Sequence, residues 1–170
     1  MPFVVFVVFS SRMSGSEQDT HTAYHEAGHA VIALMLGRSV HEVSILPGGK
    51  RLGYCEMRKG GRAPKDALEA DLLILLAGMA AEAKVSGQYG LGGASQDLQM
   101  AEKLALSRAG NARQAQRLLE RTLDKVEHLM SDTATWSAIV LIAEELLKSR
   151  FLSGRAARHF HEQAMARAKK

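Results

Sequence analysis

Helical spacing dominates the pattern of apolar and polar positions along the chain. Apolar residues that recur every three or four positions, between glycines and cap-forming residues, predict amphipathic helices. Such segments occupy residues 20–36, 65–86, 95–109, 112–130, 133–149 and 154–169. The segment 65–86 is apolar over much of its circumference, which predicts that this helix is buried.

Residues that favour helix ends mark most of these boundaries. Ser, Thr, Asp and Asn accept hydrogen bonds from the free backbone N–H groups of a first turn, and Gly terminates helices. The predicted N-caps are Asp19, Thr20 or Thr22 for the first helix, Ser95 for the third, Asn111 for the fourth and Ser153 for the last. The predicted helix terminators are Gly37, Gly87 and Gly110.

Two short segments alternate between apolar and polar residues, as β-strands do. Residues 40–46 form the first, which stops at Pro47, and residues 52–58 form the second. Together they predict a hairpin or a small sheet. The order of elements, one helix, two or three strands and then five helices, predicts an α+β fold that is mostly α-helical, with a helical bundle from about residue 95.

Length and composition fit one compact domain. The chain has 170 residues, which we divide into a flexible N-terminal extension, 1–19, and a domain, 20–170. Residues 3–9 are strongly apolar, but a membrane span needs about 20 residues, so we expect no span. They could add an edge strand or form a disordered tail, and Met13 is an alternative natural start.

Charge and cysteine content exclude several classes of protein. The single cysteine, Cys55, allows no internal disulfide and no zinc site of several thiolates, and it fits the reducing cytoplasm. The net charge is +4, and basic residues gather near the C-terminus. Without a recognition motif, this basic stretch is interpreted as a solvated surface, so we expect no nucleic-acid partner.

The clearest chemical motif is His25-Glu26-Ala27-Gly28-His29, in the first predicted helix. Residues i and i+4 lie on one face of a helix, so both imidazoles can bind one metal ion. Glu26 stands where it can take a proton from water at the metal and pass it to a leaving amine. The motif therefore predicts a zinc site with His25 and His29 as ligands and Glu26 as the catalytic residue, with Ala27 and Gly28 keeping the helix surface low.

A catalytic zinc ion needs a third protein ligand and an open fourth position. The metzincin class is excluded because its further histidine would stand at the position of Met35. The downstream candidates are His41, Glu56, Glu69, Glu82 and Asp97. Glu82 lies on the buried helix, and Asp97 opens a helix after a glycine-rich loop. Spacing alone does not decide between these two.

Four segments in order resemble the FtsH family of membrane-anchored, ATP-dependent zinc proteases. The first is the zinc-binding helix; the others are a strand pair, a second helix and the segment that supplies the third ligand. They lie at residues 22–31, 41–47 with 52–54, 77–82 and 93–98, within a resemblance over about residues 20–160. The resemblance implies that Asp97 is the third zinc ligand and that Glu82 orients a ligating histidine.

The resemblance also implies a substrate-binding strand. An extended peptide would pair with the edge of the second strand, which gives affinity through main-chain hydrogen bonds. The residues concerned are Leu52, Gly53, Tyr54, Cys55 and Glu56. A purely structural strand is the alternative. Zinc itself would stabilise most of the oxyanion, with Tyr24, Tyr54 and Tyr89 as unranked second donors.

The chain departs from the family pattern in two respects. Met79 replaces the arginine that usually follows Gly78, and Ala83 and Lys84 replace an acidic-then-apolar pair. No phosphate-binding G-x-x-x-x-G-K-[ST] string is present, so we expect substrates to be peptides, unfolded proteins or proteins delivered by a separate AAA+ ATPase. The family resemblance implies a hexamer.

Two functions are therefore weighed. The first is a zinc metalloendopeptidase that hydrolyses peptide bonds with a metal-activated water. The second is an assembly module that binds zinc, or no metal, with little turnover. The missing phosphate loop and Met79 favour the second, whereas Glu26 favours the first, because a structural zinc site needs no general base.

Overall fold

A computed structural model describes the backbone of residues 15–48, 52–61, 66–90 and 94–168. The helices are α1 (Gly15–Met35), α2 (Ala67–Ser86), α3 (Ala94–Ala109), α4 (Ala112–Ser131), α5 (Thr133–Ser149) and α6 (Gly154–Arg167). The strands are β1 (Arg38–Ser44), β2 (Tyr54–Gly61) and β3 (Phe151–Ser153). The predicted α+β class, mostly helical with a small sheet, is confirmed.

The sheet has the strand order β2-β1-β3, and both pairings are antiparallel. Val43, at its centre, pairs with Cys55 on one side and with Leu152 on the other. β2 therefore lies at an edge of the sheet, as predicted. β3 was not predicted, because three residues are too few to produce an alternating pattern.

Helix α1 is the centre of the molecule and packs against α2, α5 and β1. Its apolar side is built largely from alanines, and Ala27 is fully buried. At Gly28 an added Cβ would lie 2.6 Å from the carbonyl oxygen of Ala77 and 2.8 Å from the Cβ of Ala81. The low helix surface predicted around Ala27 and Gly28 therefore lets α1 and α2 approach closely.

The start of α1 differs from the sequence prediction. The helix begins at Gly15, so Asp19, Thr20 and Thr22 lie inside it and the three predicted N-caps are wrong. The hydroxyl groups of both threonines donate hydrogen bonds to carbonyl oxygens one turn earlier, and Asp19 pairs with Arg150. The predicted boundary at residue 19 falls within α1. Residues 1–14, including the apolar stretch 3–9, lie outside the described residues.

The later helix ends agree better with the sequence. Asn111 caps α4 and Ser153 caps α6. The side chain of each accepts a hydrogen bond from the backbone N–H of the residue three positions later. Gly87 ends α2 with a φ of 79°. Ser95 is not the N-cap of α3, because that helix begins at Ala94. Among the described helices, none combines the length and apolar character that crossing a bilayer requires.

Candidate metal centre

His25 and His29 lie one turn apart on the face of α1 that meets α2. Both are buried, with 5% and 7% of their surface exposed. Their ring centroids are 4.7 Å apart at an interplanar angle of 77°, and their Nε2 atoms are 3.1 Å apart. The two Nε2 atoms are close together and face one point. This arrangement indicates that the two histidines share a metal ion and are not two separate structural residues.

Asp97, in the first turn of α3, completes the cluster. Its Oδ2 atom lies 3.1 Å from Nε2 of His25 and 3.1 Å from Nε2 of His29. Ligands at 2.0–2.1 Å in a tetrahedral zinc site stand about 3.3 Å from one another. The three atoms therefore fit zinc after a shift of a few tenths of an ångström, and a fourth position is left for water.

The remaining ring nitrogens explain how the two histidines are oriented. Nδ1 of His29 lies 2.7 Å from the carbonyl oxygen of Ile74, which can only accept a hydrogen bond. Nδ1 of His25 lies 3.2 Å from Oε2 of Glu82. A proton on each Nδ1 leaves each Nε2 lone pair free for a metal. Glu82 thus lies behind His25, as the family resemblance implies.

The histidines and the carboxylates of the cluster stabilise one another's charged forms. Burial lowers the pKa of His25, but hydrogen bonds to Asp97 and Glu82, with the charge of Glu26, outweigh it and raise that pKa to about 9. Burial raises the pKa of Asp97, but its hydrogen bonds to His25 and His29 bring it below the usual range. Without metal, the site therefore holds a proton that zinc must displace.

Glu26 is buried beside the two histidines, where the sheet meets α1. Its Cγ would lie 3.0 Å from a Cβ added at Gly53, just before β2. Burial, and then the charge of Glu26, raise the pKa of the Cys55 thiol. The structure therefore brings Glu26 against the start of the predicted substrate strand, and glycine at position 53 permits that approach.

The five residues of the predicted substrate segment lie on both sides of the start of β2. Leu52 and Gly53 precede the strand, and Leu52 is exposed. Tyr54 opens the strand, and its hydroxyl donates a 2.6 Å hydrogen bond to Glu42 of β1. Glu56 is exposed on β2. The segment is thus at a sheet edge, next to the metal cluster.

Gly78 is a residue of the site that the sequence analysis did not identify. A Cβ at this position would lie 2.4 Å from Nε2 of His29 and 2.6 Å from Nε2 of His25. Only a hydrogen atom fits between the backbone of α2 and the two ligand nitrogens. The signal was available, because a glycine inside an apolar helix costs about 1 kcal/mol and indicates a close approach.

Several predicted alternatives lie away from the cluster. Among the described residues, the group of ligand atoms that could hold a metal contains His25, His29 and Asp97, and not His41, Glu56 or Glu69. Glu69 instead pairs with Lys125 at 2.5 Å.

The three tyrosines considered as oxyanion donors have other partners. Tyr24 stacks on Trp136, with ring centroids 5.9 Å apart. Tyr54 donates to Glu42, and Tyr89 donates to Glu127.

The departures from the family pattern have local structural roles. Met79 is partly buried and packs against the hydrophobic core. Lys84 donates a 2.7 Å hydrogen bond to the carbonyl oxygen of Met130, and its Nζ atom lies 4.4 Å from the ring centroid of Trp136. A cation at the C-terminal end of α4 and over an indole is favourable on both counts.

Comparison with known proteins adds independent evidence. Residues 12–112 match the profile of peptidase family M41. A relative from Acidimicrobium ferrooxidans named "ATP-dependent zinc metalloprotease FtsH" is 34% identical over 154 residues, 86% of this chain and 21% of the relative. Relatives of the same name from Rickettsia bellii and Magnetococcus marinus are 36% and 41% identical over 101 residues, 56% of this chain and 16% and 15% of the relatives.

The chain spans about a fifth or less of the length of these curated relatives. The matched range, residues 12–112 of this chain, includes His25, Glu26, His29, Glu82 and Asp97. The resemblance to FtsH-type proteases, drawn from four ordered segments, is confirmed. Because the profile covers more than half of its 170 residues, the chain belongs to peptidase family M41.

Proposed function

We propose that this protein is a zinc-dependent metalloendopeptidase, with zinc held by His25, His29 and Asp97. The observation that supports this most strongly is the convergence of three ligand atoms at 3.1 Å spacing beside a buried glutamate. Two histidines and one carboxylate form a usual ligand set for catalytic zinc, which keeps its fourth position for water. The relatives' names, which specify zinc metalloproteases, agree with this choice of metal.

The proposed mechanism assigns Glu26 the proton transfers. Zinc, when bound, lowers the pKa of a water molecule and polarises the scissile carbonyl. The Glu26 carboxylate takes one proton from that water as its oxygen forms a bond to the carbonyl carbon. It then gives the proton to the amide nitrogen as the C–N bond breaks, and the second proton of the water passes from the new carboxyl group to the released amine, which leaves a carboxylate and an ammonium group. Burial of Glu26 keeps bulk water from competing for the proton.

The proposed substrates are peptides and unfolded proteins in an extended conformation. β2 lies at the edge of the sheet, and its start lies against Glu26. A peptide added there as a strand would gain main-chain hydrogen bonds and would bind with little dependence on sequence. We place this interaction at Leu52, Gly53, Tyr54, Cys55 and Glu56.

The proposed partners follow from the relatives. Their names describe ATP-dependent proteases, and this chain spans about a fifth or less of their length. We propose that an AAA+ ATPase unfolds and delivers folded substrates, and that the peptidase domains assemble as a homo-oligomer. The protein alone would then cleave only peptides and chains that are already unfolded.

The proposal is tested by metal analysis together with digestion of a peptide library. We expect one zinc ion per chain and internal cleavage of many peptides, with products identified by mass spectrometry. Cleavage should stop when a chelator removes the zinc and return when zinc is added. One zinc ion per chain with no cleavage of any peptide would favour the alternative, an assembly module that binds zinc.

Two matched variants test the third ligand. We expect Asp97→Ala to lose most of its zinc, because one of three protein ligands is removed. Glu82→Ala should keep zinc with an affinity lower by about 10- to 100-fold, the usual effect of losing an outer-shell partner. If only the Glu82 variant loses metal, the assignment of Asp97 is wrong.

A further inference from the structure

Three histidines, His21, His25 and His29, follow one another at intervals of four residues along α1. This spacing places them on one face of the helix. The second and third belong to the metal cluster, whereas the first does not, and nothing in the mechanism above uses it. His21 is mostly buried, with 20% of its side chain exposed.

Glu82 lies between the first two of these histidines. Its Oε2 atom is 3.2 Å from Nδ1 of His25, and its Oε1 atom is 3.6 Å from Nδ1 of His21. Only 14% of the Glu82 side chain is exposed, so water replaces these partners poorly. Each carboxylate oxygen therefore faces a different ring of the same helix.

The contacts of Glu82 with His25 and with His21 together can fix the orientation of its carboxylate, whereas the contact with His25 alone cannot. A single hydrogen bond from His25 leaves the Glu82 carboxylate free to rotate about the bond that joins it to its side chain. A second donor on the other oxygen removes that freedom, and the orientation of the carboxylate then determines the orientation of the His25 ring. The 3.6 Å separation is just beyond hydrogen-bond distance, and a small rotation of either side chain would bring Nδ1 of His21 and Oε1 of Glu82 within it.

We propose that His21 is a positioning residue for the metal site, which acts through Glu82 on His25. The inference rests on the proposed function only in taking His25 as a ligand. Loss of His21 would leave all three ligands and Glu26 in place but would loosen the carboxylate that orients His25. The effect should therefore appear in metal affinity and ligand geometry.

The test measures zinc affinity by competition with a chelator in the full chain. We expect His21→Ala to weaken zinc binding about tenfold, the low end for outer-shell partners, because His21 is one contact further from the metal. His21→Asn should restore most of the affinity, because its amide N–H can occupy the place of Nδ1–H. The control is His128→Ala, which removes an exposed histidine of α4 and should leave affinity unchanged.

Two further measurements separate positioning from general stability. The visible absorption spectrum of the cobalt-substituted protein should change in His21→Ala and return in His21→Asn, because the spectrum reports ligand geometry. In a Glu82→Ala background, His21→Ala should cause no further loss of affinity, because the two residues act as one unit.

The proposal is overturned if His21→Ala binds zinc as the wild-type protein does, or if its effect is equally large without Glu82. It is also overturned if both His21 variants fail to fold, since that would make His21 structural. A wild-type protein that binds zinc yet cleaves nothing would contradict the proposed peptidase function and leave the role of His21 standing.

Discussion

At the scale of single residues, Gly78 shows why the metal site needs a place without a side chain. The backbone of α2 passes so close to His25 and His29 that a methyl group would lie within 2.6 Å of either Nε2 atom. Glycine is unfavourable in the interior of a helix, by about 1 kcal/mol relative to alanine. Gly78 therefore lowers the stability of α2, and the metal site requires it because no larger residue fits beside the two histidines.

We predict that Gly78→Ala abolishes zinc binding while the protein stays folded. The new methyl group would occupy the space between the ligand nitrogens, whereas alanine favours the helix itself. Zinc content and the circular-dichroism spectrum should be measured together. Gly48→Ala is the control, because its methyl group meets nothing within 4 Å. Full zinc occupancy in Gly78→Ala would contradict the described geometry.

The metal-free site should make stability depend on pH. The pKa of His25 is raised from 6.5 to about 9, so its stabilising effect is complete below about pH 6.5 and is lost as pH rises through 9. The pKa of Asp97 is lowered from 3.8, so its effect is present above that value and is lost as pH falls. Both shifts describe one interaction, which we count once.

We therefore predict that the unfolding free energy of the metal-free protein is greatest between about pH 4 and 6.5 and falls toward pH 9, by an amount on the order of 3 kcal/mol at most. Urea denaturation in the presence of a chelator measures it. Asp97→Ala should weaken this dependence, because the hydrogen bond to Asp97 is the largest of the contributions that raise the pKa of His25. A free energy that rises between pH 6.5 and 9 would show that His25 is not protonated in the metal-free cluster.

At the scale of elements, Arg150 joins three parts of the fold. It ends α5 with a φ of 63°, a left-handed backbone conformation that residues other than glycine rarely adopt. Its carbonyl oxygen accepts a 3.0 Å hydrogen bond from the backbone N–H of Ile45, and its guanidinium contacts Asp19 of α1 at 2.8 Å. These contacts hold α1, β1 and α5 together at one point.

We predict that Arg150→Gly is more stable than Arg150→Ala. Both variants lose the contact with Asp19, but glycine adopts the positive φ without strain. The difference should appear as a melting temperature higher by about 2–4 °C in thermal unfolding. Equal melting temperatures would mean that the backbone at this position is not strained.

The sequence was most informative where its signals are local. Asn111, Ser153 and Gly87 fix helix ends through contacts within a few residues, so their roles could be predicted. The start of α1 was predicted too late because Asp19 is a good cap in isolation, yet it pairs with the distant Arg150. The strand β3 is defined only by its pairing with β1.

In the metal site, too, the local features could be predicted from the sequence, whereas the features that depend on packing could not. The spacing of His25 and His29 predicts two ligands, because a helix brings positions i and i+4 together. The choice between Glu82 and Asp97 depends on how α2 packs on α1 and how α3 packs on α2, which spacing cannot reveal. The carbonyl oxygen of Ile74, which orients His29, is a backbone atom and has no sequence signature.

At the scale of the whole molecule, the site is assembled from three helices and the edge of a sheet. α1 supplies two ligands and Glu26, α2 supplies Glu82 and the clearance at Gly78, and α3 supplies Asp97. β2 lies beside Glu26, and among the described residues it pairs with β1 alone, as an edge strand of the sheet. This arrangement is what a peptidase needs and more than a structural zinc site would require.

The most direct test of this account is Glu26→Gln, which removes the general base and keeps the size of the side chain. The purified variant should bind one zinc ion per chain, as the wild-type protein does, because Glu26 is not a ligand. It should lose nearly all cleavage of unfolded casein, by at least about 100-fold, since proton transfer by a positioned side chain contributes roughly 10²–10⁴ to the rate. Zinc-dependent cleavage at the wild-type rate by Glu26→Gln would contradict the proposed mechanism.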